Sequence, residues 1–102
     1  MAVRDHYALG QFCWVDLTSR DMAESRQFYQ RLFRWQSVDR GPESGPPYCH
    51  FQLQGMSVAG LGPMSQELVR KRVPAVWNSY IHVEDIQAAC AQATELGGTV
   101  TV

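Results

Sequence analysis

QFCWVDLTSRDMAESRQFYQRLF, residues 11–33, joins a strand pattern to a helix pattern through a helix cap. Residues 11–17 are rich in aromatic and branched residues, a composition typical of a β-strand. Asp21 then stands where a helix needs its N-cap, and Glu24 follows three residues later as in a capping box. From there apolar side chains recur at steps of three and four as far as Phe33, which indicates an amphipathic helix.

Three further strand patterns follow this first unit. They cover Trp35–Asp39, Tyr48–Leu53 and Met56–Leu61. The stretch over 40–47 consists of turn-forming residues and predicts a loop. Gln54-Gly55 predicts a hairpin turn between the last two strands. The first part of the chain therefore has the order β-α-β-β-β.

The order then starts again, and a shift of 64 residues lays Asp21 on Asp85. The second copy has a strand pattern over 77–83, a helix capped by Asp85 and a strand pattern over 99–102. Between the last two, Gly97-Gly98 is a helix stop. Matched order with both caps in register indicates an internal duplication.

The duplication predicts an α+β fold in a single domain, residues 1–102. Module one covers about 10–63, a linker covers 64–76, and a partial module two (βαβ) covers 77–102. The second module has no counterpart of residues 39–63, so either the chain is truncated or another chain supplies two strands. Because an open sheet edge recruits a further strand, we expect a homodimer.

The composition excludes several classes of protein. Apolar residues make up 45% of the 102 residues and aromatic residues 11%, enough for a buried core, while the formal net charge is −1. Such a charge balance lacks the basic excess of a nucleic-acid-binding protein. No apolar run is long enough to span a membrane, and residues 1–6 form no signal segment, so we expect a cytoplasmic protein. The three cysteines, Cys13, Cys49 and Cys90, are predicted to be reduced.

Four segments together resemble the vicinal oxygen chelate superfamily, the group of glyoxalases, bleomycin-resistance proteins and extradiol dioxygenases. The segments are Trp14–Asp21, Phe28–Trp35, Val58–Leu61 and Trp77–Asp85, and the resemblance extends from about Gly10 to Val102. It implies paired βαβββ modules whose curled sheets enclose a cleft for a small molecule.

The resemblance also bears on a metal centre. Metal-dependent members carry His, Gln or Glu ligands on the first and fourth strands of their modules. Matching the motifs places Trp14, Gly60 and Asn78 at three of these positions. Trp and Gly offer no side-chain ligand, and an Asn amide oxygen is a poor ligand for a transition metal. We therefore expect no metal and no other cofactor.

Strand alternation defines a candidate cleft. It places Trp14 and Asp16 on one face of the first strand and Leu17 on the other, which should pack under the helix. The candidate ligand-binding residues are Phe12, Trp14, Asp16, His50, Asn78, Tyr80 and His82. Trp14 is interpreted as either core packing or a stacking surface, and Asp16 as either a structural hydrogen-bonding group or an acid–base group. No catalytic residue is assigned.

The function expected from these residues is the binding of a small planar or apolar molecule in an aromatic cleft that lacks the usual metal ligands. The alternative is a lyase, isomerase or dioxygenase of the same superfamily whose metal site is rebuilt or is completed by another chain. A metal assay distinguishes the two, because the second function requires a tightly bound metal ion.

Overall fold

Five strands and three helices follow one another along residues 6–101, the part of the chain that the computed structural model describes. Their bounds are β1 Phe12–Ser19, α1 Met22–Phe33, β2 Gln36–Asp39, β3 Cys49–Leu53, β4 Met56–Pro63, α2 Gln66–Arg70, β5 Val76–Ile81 and α3 Ile86–Glu95. The elements confirm the predicted α+β class.

The strands form one sheet in the order β2-β3-β4-β1-β5. Strands β2, β3 and β4 are antiparallel neighbours, whereas β1 runs parallel to β4. The pairing places Gly60 of β4 next to both Asp16 of β1 and His50 of β3. Three strands therefore bring these positions to one part of the sheet.

The chain divides into two units, which are described separately. One unit contains Trp14–Tyr80, and the other contains the residues up to Cys13 together with those from Ile81 onward. In the first unit, the buried core consists of Leu17, Cys49, Phe51, Ala59 and Leu61. Tyr29 of α1 packs against this core, so the Leu17 face of β1 lies under the helix as predicted.

Both predicted helix caps are formed. The Asp21 carboxylate accepts a hydrogen bond from the Glu24 backbone N–H, and Asp85 accepts from the backbone of Gln87 and Ala88. These bonds satisfy amide groups that have no partner inside the helix.

The predicted hairpin turn is also formed. Gln54 and Gly55 have φ angles of 53° and 78°, the left-handed conformation of a tight hairpin.

The 64–76 segment contains the short helix α2, capped by Ser65.

The end of the described chain differs from the prediction. Residues 99–101 form no strand, and Val102 lies outside the described residues. A strand needs a neighbour to receive its backbone hydrogen bonds, and no strand in the described part of the chain pairs with these residues. The prediction of a strand there rested on composition, which cannot supply a partner.

Two further predictions concern the cysteines and the absence of a membrane span. None of the three cysteines, all of which lie within residues 6–101, forms a disulfide bond, and Cys49 is fully buried. None of the helices within residues 6–101 has the length and apolarity needed to cross a membrane. Residues 1–5, most of the segment searched for a signal sequence, lie outside the described range.

Candidate functional site

The candidate site lies on the face of β1 opposite the core. Because side chains alternate along a strand, Trp14, Asp16 and Thr18 share this face, while Leu17 and Ser19 point to the other side and are buried. Asp16 is half-buried. The site belongs entirely to the Trp14–Tyr80 unit.

The Asp16 carboxylate is the centre of a hydrogen-bond network. Its Oδ2 atom accepts a bond from the Tyr80 hydroxyl at 2.9 Å and a longer one from the Tyr48 hydroxyl at 3.4 Å. Its Oδ1 atom accepts from Asn78 Nδ2 at 3.1 Å. The same Asn78 nitrogen donates to Thr18 Oγ1 at 2.8 Å. Both amide hydrogens of Asn78 are thus used, which orients its nitrogen toward β1.

Aromatic rings adjoin this network on one side. Trp14 Nε1 donates to the Tyr48 hydroxyl at 3.2 Å. The His50 ring lies 5.0 Å from the Trp14 ring at an interplanar angle of 49°, and 5.7 Å from the Tyr48 ring, nearly edge-on. His50 Nδ1 lies 3.0 Å from Ser57 Oγ. The site therefore combines a charged centre with an aromatic border.

The surroundings alter the proton affinities of three of these side chains. Burial, followed by the hydrogen bond to Asp16, raises the pKa of Tyr80 to about 12. Burial also raises the pKa of Tyr48, although the bond from Trp14 lowers it in part. The pKa of His50 is lowered by burial and by the charge of Arg40. At neutral pH both tyrosines are therefore hydroxyl donors and His50 is uncharged.

The residues present do not fit the metal centre of the metal-dependent relatives. A side chain at Gly60 would begin in the space occupied by the Tyr48 hydroxyl, so this position has no room for a ligand. Within residues 6–101, no three His, Cys, Asp or Glu side chains converge in a way that could hold a metal ion. Of the groups near Asp16, the two phenols and the Asn78 nitrogen act as donors toward the carboxylate.

The structure brings together five of the seven residues predicted for the cleft. Trp14, Asp16, His50, Asn78 and Tyr80 lie in the network or at its border. The remaining two, Phe12 and His82, belong to the other unit. There Phe12 is 65% exposed, and the His82 backbone exchanges hydrogen bonds with Gly10 and Gln11.

Two residues of the network were absent from the prediction. Tyr48 precedes β3 and stands two residues before His50, so alternation places both on one face, although Tyr48 was not among the predicted site residues. Thr18 follows Asp16 by two residues in the same way. The sequence does not show that Tyr48 would contact Asp16, or that Thr18 would contact Asn78, because these contacts join separate segments of the chain.

A groove of about 600 Å³ lies on the other face of the sheet, beside the first turn of α1. Its lining includes Ser19, Glu24, Tyr29 and Trp77. Trp77 Nε1 donates to the Tyr29 hydroxyl at 3.2 Å, and Ser19 Oγ pairs with Ser25 Oγ at 2.7 Å. Two pairs of polar side chains in this groove thus bond to each other, the Arg20 guanidinium donates to the Val73 backbone oxygen, and none of these groups belongs to the Asp16 network.

The fold and the family motifs agree with comparisons to known proteins. The chain belongs to the Glyoxalase/Bleomycin resistance protein/Dioxygenase superfamily, whose family model matches residues 5–102. The resemblance found in the sequence is thereby confirmed.

Two relatives show the range of proteins to which the chain is similar. It is 35% identical over 101 residues to CFP32 of Mycobacterium tuberculosis, a protein that carries a glyoxylase name. This match covers 98% of this chain and 38% of CFP32. It is 28% identical over 104 residues to the anthracycline biosynthesis protein DnrV of Streptomyces peucetius. This match covers 92% of this chain and 38% of DnrV. The chain thus spans 38% of the length of these curated relatives.

A solved structure is similar at a lower level. The crystal structure of a methylmalonyl-CoA epimerase matches with a TM-score of 0.49 and 20% identity, covering 90% of this chain and 74% of the other.

Proposed function

We propose that the Asp16 face binds a small planar molecule without the help of a metal ion. The observation that carries this proposal is the tilted Trp14–His50 ring pair, which borders a carboxylate held by hydrogen bonds from three side chains. Such a surface offers aromatic stacking together with a few fixed polar groups, the combination typical of small-molecule sites.

The fixed position of the Trp14 ring supports a stacking role. Its indole nitrogen is bound to the Tyr48 hydroxyl, which is itself bound to Asp16. A side chain already held in place loses little conformational freedom when a ligand binds, so more of the contact energy remains for affinity.

One relative has a name that agrees with a planar ligand, whereas CFP32 carries a glyoxylase name. The name of DnrV refers to anthracycline biosynthesis, and anthracyclines contain a flat, fused aromatic ring system. The alternative function is a lyase, isomerase or dioxygenase whose metal site is rebuilt or completed by another chain, because this chain has Trp14, Gly60 and Asn78 where metal-dependent relatives carry ligands. Tyr48 also fills the space at Gly60.

The proposal is tested by titrating the protein with an anthracycline aglycone in a calorimeter. The Trp14→Ala variant should bind it about 2- to 13-fold more weakly, because an aromatic contact contributes about 0.5–1.5 kcal/mol beyond its buried area. Trp77→Phe is the matched control, since Trp77 contacts Tyr29 beside α1 and not the Asp16 network. It should leave the affinity unchanged within about twofold.

Two results would contradict the proposal. The first is the absence of any heat of binding with the wild-type protein at millimolar aglycone. The second is an affinity that Trp14→Ala leaves unchanged, or that Trp77→Phe reduces equally, since either would move the binding away from the Asp16 face.

A further inference from the structure

We propose that Ser57 and His50 form a nucleophile–base pair that accepts the acyl group of an aryl ester. The pair lies on the β3–β4 hairpin, and the inference goes beyond the proposed function because it requires no ligand on the Trp14 ring. It rests on the distance between the two side chains, on an irregularity that turns Ser57 toward His50, and on the exposure of the serine.

The two side chains are close enough for direct proton transfer. Ser57 Oγ lies 3.0 Å from His50 Nδ1. A serine hydroxyl is a weak nucleophile, and a base within about 2.6–3.2 Å activates it by taking its hydrogen. In the neutral imidazole that carries its hydrogen on Nε2, Nδ1 is the acceptor that this step needs. The geometry therefore fits a serine whose hydroxyl hydrogen passes to His50.

A break in the strand register places Ser57 on the face that carries His50. The register that holds up to Phe51 would lay Ser57 opposite Leu53, on the same face as the buried Phe51. Instead Ser57 lies opposite Gln52, because β4 has one extra residue at this point. Gln52 and His50 share a face by alternation, so the irregularity moves Ser57 from the core face to the face of His50. Bulges of this kind re-aim single side chains and are over-represented next to active sites.

The exposure of the two side chains suits their proposed roles. Ser57 is exposed, so a substrate can reach its hydroxyl, whereas His50 is half-buried. The Trp14 ring at 5.0 Å and the Tyr48 ring at 5.7 Å limit the movement of the imidazole. A base that is already held in position contributes more to the rate than one that must first be ordered.

The charge state of His50 agrees with the role of a base. Burial lowers the pKa of His50, and the positive charge of Arg40 lowers it further. The imidazole is therefore uncharged at neutral pH and keeps a lone pair for the Ser57 hydroxyl hydrogen. A protonated imidazole would have no such lone pair and could not act as the base.

The chemistry of the pair defines the substrate class. Ser57 Oγ attacks the carbonyl carbon of the ester while its hydrogen passes to His50 Nδ1. The bond from that carbon to the aryl oxygen breaks, the aryl group leaves as a phenolate, and His50 releases its hydrogen to the solvent. Water then attacks the acyl-serine, which gives a carboxylic acid and restores the Ser57 hydroxyl. Aryl esters suit this pair because a phenolate leaves without first being protonated.

The experiment uses p-nitrophenyl acetate and the wild-type protein at neutral pH. Release of p-nitrophenolate is followed by absorbance, and the acetylated residue is located by peptide mass spectrometry after acid quenching. Release should begin with a burst of about one p-nitrophenolate per chain, and the acetyl group should be on Ser57. Because the mass measurement uses the wild-type protein, it does not depend on the folding of any variant.

Three variants assign the roles. Ser57→Ala should abolish the burst, and His50→Gln, which keeps a polar side chain, should slow acylation at least about 100-fold. Ser79→Ala is the matched control, because Ser79 is an exposed serine of β5, a strand that β1 separates from β4. It should leave the burst and the acylation rate unchanged within about twofold. A thermal melt confirms that each variant is folded.

Several results would overturn the inference. The first is an acetyl group on His50 or on a cysteine instead of Ser57, and the second is a burst that persists in Ser57→Ala. Acylation at the wild-type rate in His50→Gln, or no acetylation of the wild-type protein at millimolar ester, would overturn it equally. The titration with the anthracycline aglycone is separate from all of these measurements, so it tests the proposed function on its own.

Discussion

Replacing Gly60 with alanine should destabilise the protein, because the added methyl group would overlap the Tyr48 hydroxyl. The Asp16 Cβ atom would also lie only 3.0 Å from the new Cβ atom. Gly60 is buried between β1 and β3, so the methyl group cannot turn toward solvent. The substitution thus tests whether Tyr48 occupies the position at which metal-dependent relatives carry a ligand.

The magnitude follows from what Tyr48 must give up. If its ring moves aside, the bonds from Trp14 and to Asp16 are both lost, each worth about 0.5–1.5 kcal/mol. Alanine also restricts the unfolded chain more than glycine does, which offsets about 0.4–1 kcal/mol. The expected net loss in the free energy of unfolding is therefore about 1–2 kcal/mol.

The assay is urea unfolding followed by tryptophan fluorescence, performed as a double-mutant cycle with Tyr48→Ala. Once Tyr48 is shortened, only the 3.0 Å contact with Asp16 Cβ remains, so Gly60→Ala should then cost at least about 0.5 kcal/mol less than in the wild-type background. Gly62→Ala is the matched control on the same strand. Its methyl group would lie 3.2 Å from the edge of the Tyr48 ring, so its cost in the wild-type background should be smaller.

One result of the double-mutant cycle would contradict the argument that the strain comes from Tyr48. If Gly60→Ala costs the same free energy with and without the Tyr48 side chain, the strain does not come from Tyr48. A cost below about 0.3 kcal/mol in the wild-type background would likewise refute the argument, since values of that size lie within the error of additivity.

Two further predictions follow from the same network. Because the pKa of Tyr80 rises from 10.0 to about 12 on folding, its contribution to stability should be complete below about pH 10 and lost as the pH rises through 12. Urea unfolding at pH 9 and pH 11 should show this loss in the wild type and a smaller one in Tyr80→Phe; equal losses would contradict the prediction. Elemental analysis after dialysis against a weak chelator should find far less than one transition metal ion per chain, and about one Zn, Ni, Mn or Fe would reverse this expectation.

The sequence predicted best those features that depend on neighbouring residues. Asp21 and Asp85 cap their helices because the capping bond spans only two or three residues. The turn at Gln54-Gly55 is equally local, since it depends on backbone conformations that these residue types favour. The predicted strand over 99–102 has the right composition, but strand formation needs a partner, and residues 99–101 form none.

The candidate site was predicted only in part, because its contacts connect distant segments. Alternation along β1 correctly places Trp14 and Asp16 on one face, and the family motifs add Asn78. The bond between Tyr48 and Asp16 depends on the register that lays Gly60 between them. A single sequence shows a glycine at position 60 but does not show which ring will use the space above it.

Gly60 leaves space for the Tyr48 hydroxyl beside Asp16. A metal centre is a positive group and favours anionic oxygen ligands. Here Tyr48 occupies the space of a ligand, and its hydroxyl helps to hold the negatively charged Asp16 on the same face. A flat molecule that stacks on the aromatic border is the ligand that we propose for this face. The pairing of Gly60 with Tyr48 therefore accounts both for the poor fit to a metal and for the kind of ligand that we propose in its place.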